Sequence, residues 1–293
     1  MSTAWRVVDL TGTSQPIEVR RGRIAVAGSS IGLDDCACIL TGPSTTWSGD
    51  LLAQAAQHDV ILVACDWRGV PIAATLPWST NTRIATRQLA QARLSVPRQK
   101  NAWKRIVQAK IRGQASNIET NDAPAAKHLR DLARQVRSGD PTNIEARAAR
   151  TYWSKYLPGH RFTRRRDQTD HNALLNYGYA VARAFTVRAI CLTGLTPTLG
   201  IWHHHRANPF SLADDILEPF RPAIDHTART QPDDATLEDP TVKAAMVAAV
   251  HQPMALRGRT VATAITDLAQ AFAHYVEGDQ SVLDVPTWTA PGG

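Results

Sequence analysis

Three consecutive histidines, His203, His204 and His205, stand just before a segment carrying Asp214, Asp215 and Glu218, in "LGIWHHHRANPFSLADDILEPFRP". Neutral imidazole and carboxylate are both ligands for divalent cations. Asn208 followed by Pro209 is a helix-start signal, because asparagine caps free N–H groups and proline suits the first turn. In a helix running from Pro209, Glu218 follows Asp215 by three residues and Asp214 by four, so the acids share one face. Carboxylates on one face repel unless water or a cation separates them. Phe210, Ala213, Ile216 and Leu217 surround the same helix with apolar groups, which favours a cation over a solvated acidic face.

A third ligand must come from elsewhere, and Glu145 in "DPTNIEARAARTYW" is a candidate. The pattern alone prefers another role for it. Thr142 and Glu145 form a T-x-x-E capping box, which would use the glutamate to close a helix start. No spacing argument brings Glu145 to a histidine, and none decides which of the three histidines faces an ion.

The chain of 293 residues carries a net charge of +7 and a pI near 9.5. The charge is clustered. "RQKNAWKRIVQAKIR" holds six basic residues and no acid, with Trp103, Ile106, Val107 and Ile111 reading as core and Lys104, Arg105, Lys110 and Arg112 as outward-facing. In "RFTRRRD", Arg164, Arg165 and Arg166 repel one another unless an anion neutralises them, which suits phosphate contacts. Cys36, Cys38, Cys65 and Cys191 lack metal-ligand spacing and read as buried free thiols in a reducing cytoplasm. No membrane span and no signal peptide are expected.

Residues 1–80 read as short β-branched strands separated by Gly, Asp, Pro and Ser, with one helix near "WSGDLLAQAAQHD" capped by Ser48 or Asp50. "VRRGRIAV" reads as two strands around a tight turn. Residues 81–280 show apolar positions recurring at three and four, the signature of successive helices. Gly178, inside one of them, predicts close helix packing, since glycine there costs about 1 kcal/mol relative to alanine. Residues 281–293 have no period and are expected to form a flexible tail. The predicted class is α+β, a small β-sandwich-like N-terminal region followed by a larger all-α region.

The succession "NIEARAARTYW", "HNALLNYGYAVARA" and "GLTPTLGIWHHHRANPFSLADDILEPFRP" resembles the CRISPR-associated spacer-acquisition integrases, the metal-dependent adaptation proteins, in the variant that accompanies type II effector systems. The resemblance covers nearly the whole chain. It implies a metal held by Glu145, His203 and Glu218. His203 is selected because the family's histidine lies fifteen residues before the final glutamate; Trp202 stands where relatives carry another histidine, and His204 is the reserve. Asp215 is implied as an auxiliary acid, and Asn172 as a residue orienting DNA or ligands. Two hard carboxylates with one imidazole fit Mg²⁺ or Mn²⁺. The implied reaction joins the 3′-hydroxyl of spacer DNA to the end of a CRISPR repeat by transesterification. Implied partners are double-stranded and branched DNA, a second copy bound through the β region, a small companion adaptation protein, and the type II effector nuclease. Two rivals remain: a structure-specific repair nuclease and a non-catalytic DNA-binding scaffold.

Overall fold

Alternation of buried side chains decides how the N-terminal strands are used. The computed structural model describes residues 6–26, 28–67, 71–75, 81–157, 162, 164, 171–254 and 258–291. Strands β1 (Arg6–Leu10), β5 (Cys36–Thr41), β6 (Ile61–Cys65) and β7 (Pro71–Ala74) form one sheet in the order β1-β5-β6-β7. Its β1–β5 and β5–β6 pairs are parallel, and β7 closes it antiparallel to β6. A parallel connection needs a crossover, and α1 (Gly49–Gln57) supplies it between β5 and β6. Ser48 caps α1 by accepting the Leu51 N–H at 3.3 Å.

The remaining strands, β2 (Glu18–Arg20), β3 (Arg23–Val26) and β4 (Ser29–Gly32), form an antiparallel meander. Arg21 and Gly22 make the predicted tight turn between β2 and β3, with φ of 50° and 70°. Both angles positive is the primed geometry that matches strand twist. The N-terminal region is thus β-rich as expected, but its larger sheet is mixed.

Both faces of β5 and β6 are covered. Ile39 and Leu62 turn towards the meander and α1, joining Val8, Ile24, Leu33 and Leu51 in a small core. Cys38, Leu40, Ile61 and Val63 turn the other way into the main core shared with the helices. The switch from strand to helix falls between β7 and α2 (Ile84–Ala92). Then follow α3 (Val96–Ile118), α4 (Ala123–Gln135), α5 (Ile144–Lys155), α6 (His171–Leu192), α7 (Ser211–Leu217), α8 (Arg221–Arg229), α9 (Pro240–Ala248) and α10 (Val261–Glu277). The main core runs through them, and α6 is buried along most of its length. A Cβ on Gly178 of α6 would come within 2.5 Å of Ile224 Cγ2 and 2.7 Å of Met246 Cε, so the missing side chain is what lets α8 and α9 close on α6. No described helix is long and apolar enough to cross a membrane.

The C-terminal segment departs from expectation. Residues predicted as a flexible tail lie packed along α3: Leu283 and Trp288 are fully buried. Trp288 Nε1 donates to Asn117 Oδ1 at 2.9 Å, and the Ala290 N–H donates to Ser116 Oγ at 2.8 Å. A segment without helical period still docks when one large aromatic finds a pocket and its indole N–H finds an acceptor. Trp288→Ala is expected to destabilise the protein by about 3–5 kcal/mol in urea unfolding. A loss below about 1 kcal/mol would mean that the strap carries no packing energy.

Candidate metal centre

The loop before α7 is built around one buried carboxylate. Asp215 has no solvent exposure, and its Oδ2 accepts the backbone N–H groups of Ile201 (2.6 Å), Trp202 (2.8 Å) and His203 (3.4 Å). Its Oδ1 accepts from His203 Nδ1. A Cβ on Gly200 would lie 2.3 Å from the His203 carbonyl oxygen and 3.0 Å from Asp215 Oδ2, so only glycine lets the loop wrap this closely. Trp103 of α3 presses on the loop, stacked on Trp202 and edge-on to His203, with ring centroids 5.9 and 5.3 Å apart. His203 is thereby fixed in position and tautomer, with Nδ1 committed and Nε2 left as its ligand atom. His204 and His205 are exposed, and His205 Nδ1 accepts its own loop's Ala207 N–H.

Asp215 was expected as an auxiliary ligand. Both its oxygens are already used by His203 and the loop backbone, so its role in the structure is to orient the His203 imidazole. Asp214 likewise leaves the expected acidic face, binding Arg183 Nε at 2.8 Å and Asn208 Nδ2 at 2.8 Å. The expected start of that helix at Pro209 is also displaced: Phe210 precedes its first turn, and Asn208 Oδ1 accepts the Phe210 N–H in the approach.

Glu218 sits where the helix breaks. A 3₁₀ turn, Glu218–Phe220, separates α7 from α8, because Pro219 and Pro222 each remove a backbone donor. Burial pushes the Glu218 carboxyl up, but Arg221 and Lys110 together hold it down at about 2. Arg221 Nε lies 2.8 Å from Oε1 and Lys110 Nζ 2.6 Å from Oε2. The second contact is an ion pair without hydrogen-bond alignment, so Oε2 is a buried acceptor with no directed donor.

Glu145 reaches the same place from α5. Its expected capping-box role is not taken up: Asn143 precedes the helix in the left-handed region, and Asp140 caps it, accepting the Ile144 and Glu145 N–H groups at 2.8 and 2.9 Å. The freed Glu145 carboxylate accepts from Lys110 Nζ at 2.6 Å. One ammonium therefore touches both glutamates, which lie no further apart than two such contacts. His203 belongs to the same field. Its pKa is raised first by the hydrogen bond to Asp215, then also by the charges of Glu218 and Glu145.

Lys110 is the residue that sequence reading placed wrongly. It was expected to face outward, yet its side chain is only 13% exposed and points into the site. The signal was available: Trp103, Ile106, Val107 and Gln114 are buried, and position 110 falls on that same three-four spacing.

The basic candidates separate. Arg165 and Arg166 lie outside the described residues. Arg164 is held by Asn172 Oδ1 at 3.0 Å and Asn176 Oδ1 at 2.6 Å. Asn172, expected to orient DNA or ligands, is 1% exposed and has its Oδ1 taken by Arg164, so it is not placed to touch DNA itself. Among the described residues, the three-ligand cluster with all ligand atoms within 4.8 Å is another one: His274, Glu277 and Asp279. There Glu277 is neutralised by Arg83 and Arg87, and His274 Nδ1 is spent on Asp279.

The fit to a divalent ion rests on the first cluster. It offers two carboxylates and an oriented imidazole, an undirected buried oxygen on Glu218, and a cationic group already standing between the acids. Hard oxygen donors with one imidazole suit Mg²⁺ or Mn²⁺.

Residues 23–240 match the family described as CRISPR associated protein Cas1. Over 200 residues the chain is 42% identical to the CRISPR-associated endonuclease Cas1 of Neisseria meningitidis serogroup C, covering 68% of this chain and 65% of that protein. Over 183 residues it is 30% identical to a CRISPR-associated endonuclease Cas1 of Pyrobaculum aerophilum, covering 56% and 60%. The aligned region is thus less than two-thirds of either relative's length. The fold is similar to a casposase bound to integration product (TM-score 0.78, 17% identity, 95% of this chain and 92% of that one). It is also similar to a CAS1 protein from Thermotoga maritima (TM-score 0.71, 18% identity, 95% and 99%).

Proposed function

The chain belongs to the CRISPR-associated Cas1 family, and on that premise we propose that it is a divalent-metal-dependent DNA integrase and endonuclease of CRISPR adaptation. The observation that carries this reading is that Glu145 and Glu218, from two separate elements, share one ammonium at 2.6 Å each, with His203 near enough for their charges to raise its pKa. Those three residues would hold Mg²⁺ or Mn²⁺, which would supply positive charge against that developing on the phosphate and a fixed orientation for the attacking hydroxyl.

The chain's own groups do the rest. Asp215 keeps the His203 imidazole in one tautomer and one orientation. Arg221, beside Glu218 at 2.8 Å, keeps that carboxylate ionised and adds positive charge where the DNA backbone approaches. Arg164, clamped by Asn172 and Asn176 of α6, offers a phosphate contact beside the first turns of that helix. The joining reaction forms a bond between the incoming 3′-oxygen and a phosphorus at the repeat edge. The bond from that phosphorus to the old 3′-oxygen breaks. Two copies pair through the β-rich region, and a small companion adaptation protein and double-stranded or branched DNA complete the assembly. The type II effector nuclease is a further partner for choosing DNA.

The test incubates the protein and its companion with a 3′-hydroxyl duplex, a repeat-containing plasmid and Mn²⁺. Joined products are expected with wild type and with His205→Ala, and none with His203→Ala. Cleavage of branched DNA without joining would assign the site to a structure-specific nuclease. DNA binding with neither activity would leave only a scaffold.

A further inference from the structure

We propose that Lys110 is an internal occupant of the metal position: its ammonium holds Glu145 and Glu218 together when no ion is bound, and a divalent cation enters only by displacing it. The inference rests on the metal-centre reading above. Lys110 Nζ is 2.6 Å from Glu145 Oε1 and 2.6 Å from Glu218 Oε2, the bridging place that a shared cation would take. Metal–oxygen bonds in Mg²⁺ sites are shorter, about 2.0–2.1 Å, so ammonium and ion exclude each other there. The ammonium also lacks hydrogen-bond alignment to Glu218 Oε2. It balances that oxygen's charge without satisfying its directionality, which leaves the oxygen a better partner for an ion.

Burial explains why such an occupant is needed. Glu218 is 7% exposed as a side chain and Glu145 25%. Two carboxylates this close and this enclosed repel strongly unless a positive charge lies between them. Arg221 answers only one of them, through Glu218 Oε1. The four-carbon stem of lysine, unlike the planar guanidinium of arginine, supplies a compact charge on a flexible arm that can withdraw.

The test measures Mn²⁺ affinity by electron paramagnetic resonance titration of the full chain. Lys110→Met is expected to bind Mn²⁺ at least tenfold more tightly than wild type, about 1.4 kcal/mol. Affinity equal to or weaker than wild type overturns the inference. A measurement on the unmutated protein stands beside it, should Lys110→Met fail to fold. Acetylation of Lys110 by an amine-reactive reagent, read by peptide mass spectrometry, is expected to rise severalfold when Mn²⁺ is added; unchanged labelling also overturns the inference. Glu218→Gln separates the two levels. If Mn²⁺ binding is insensitive to Glu218→Gln, the metal-centre reading itself falls. If binding depends on Glu218 while both Lys110 measurements stay flat, only the displacement falls.

Discussion

Glu218→Gln is expected to lower strand joining at least a thousandfold while leaving DNA affinity within about threefold of wild type. A ligand carboxylate that is lost removes several kcal/mol of charge stabilisation at the phosphorus, and each 1.36 kcal/mol is a factor of ten. Glutamine keeps the shape and removes the charge. The substitution also reports on the electrostatics of the fold. Burial raises the Glu218 carboxyl, but Arg221 and Lys110 outweigh it and hold the group near 2 against an ordinary 4.5. A depressed carboxyl contributes stability above its unfolded value, and that contribution is lost as pH falls from 4.5 towards 2. Glu218→Gln should therefore flatten the acid limb of the stability profile over that window. Joining within tenfold of wild type would remove Glu218 from the chemistry.

Asp215→Ala has the second largest expected effect, and it works through a neighbour. Removing the carboxylate leaves three backbone N–H groups and the His203 Nδ1–H without their acceptor. Loss of a group that orients a metal-bound histidine typically costs 10–100-fold in metal affinity. We expect Mn²⁺ binding to weaken by about that factor, and thermal unfolding to fall by several degrees as buried donors go unsatisfied. Asp215→Asn, which keeps an oxygen for the backbone groups, is expected to restore the thermal transition but not the metal affinity. Equal recovery of both would reduce Asp215 to a purely structural residue.

The difference between these two acids shows how far sequence reading went. The spacing of Asp214, Asp215 and Glu218 located the right segment, because three acids beside apolar residues need an explanation. It misjudged their common face. Asp214 and Asp215 are neighbours about 100° apart on α7, and Glu218 falls in the 3₁₀ turn that Pro219 and Pro222 impose, so each acid meets a different partner. The strand series, the Arg21–Gly22 turn and the Ser48 cap were legible because each depends on a few adjacent residues. The docking of Trp288 was not, since its acceptor Asn117 lies far away along the chain. Asp140 was missed as the cap of α5 for a related reason. The left-handed Asn143 shifts the capping acid out of the usual frame, and a T-x-x-E pattern then imitates a box that the backbone does not form. Lys110 is the instructive case. Its position on the buried stripe of α3 was readable, but a charged residue there signals function only once opposing carboxylates are known to face it.

The most direct measurement is the position of manganese in crystals of the protein soaked with Mn²⁺, located by its anomalous scattering. A single strong peak bounded by Glu145, the Nε2 of His203 and Glu218, with Lys110 swung aside, is the expected result. Manganese bound instead at His274, Glu277 and Asp279, or no ordered ion within reach of Glu145 and Glu218, would contradict it.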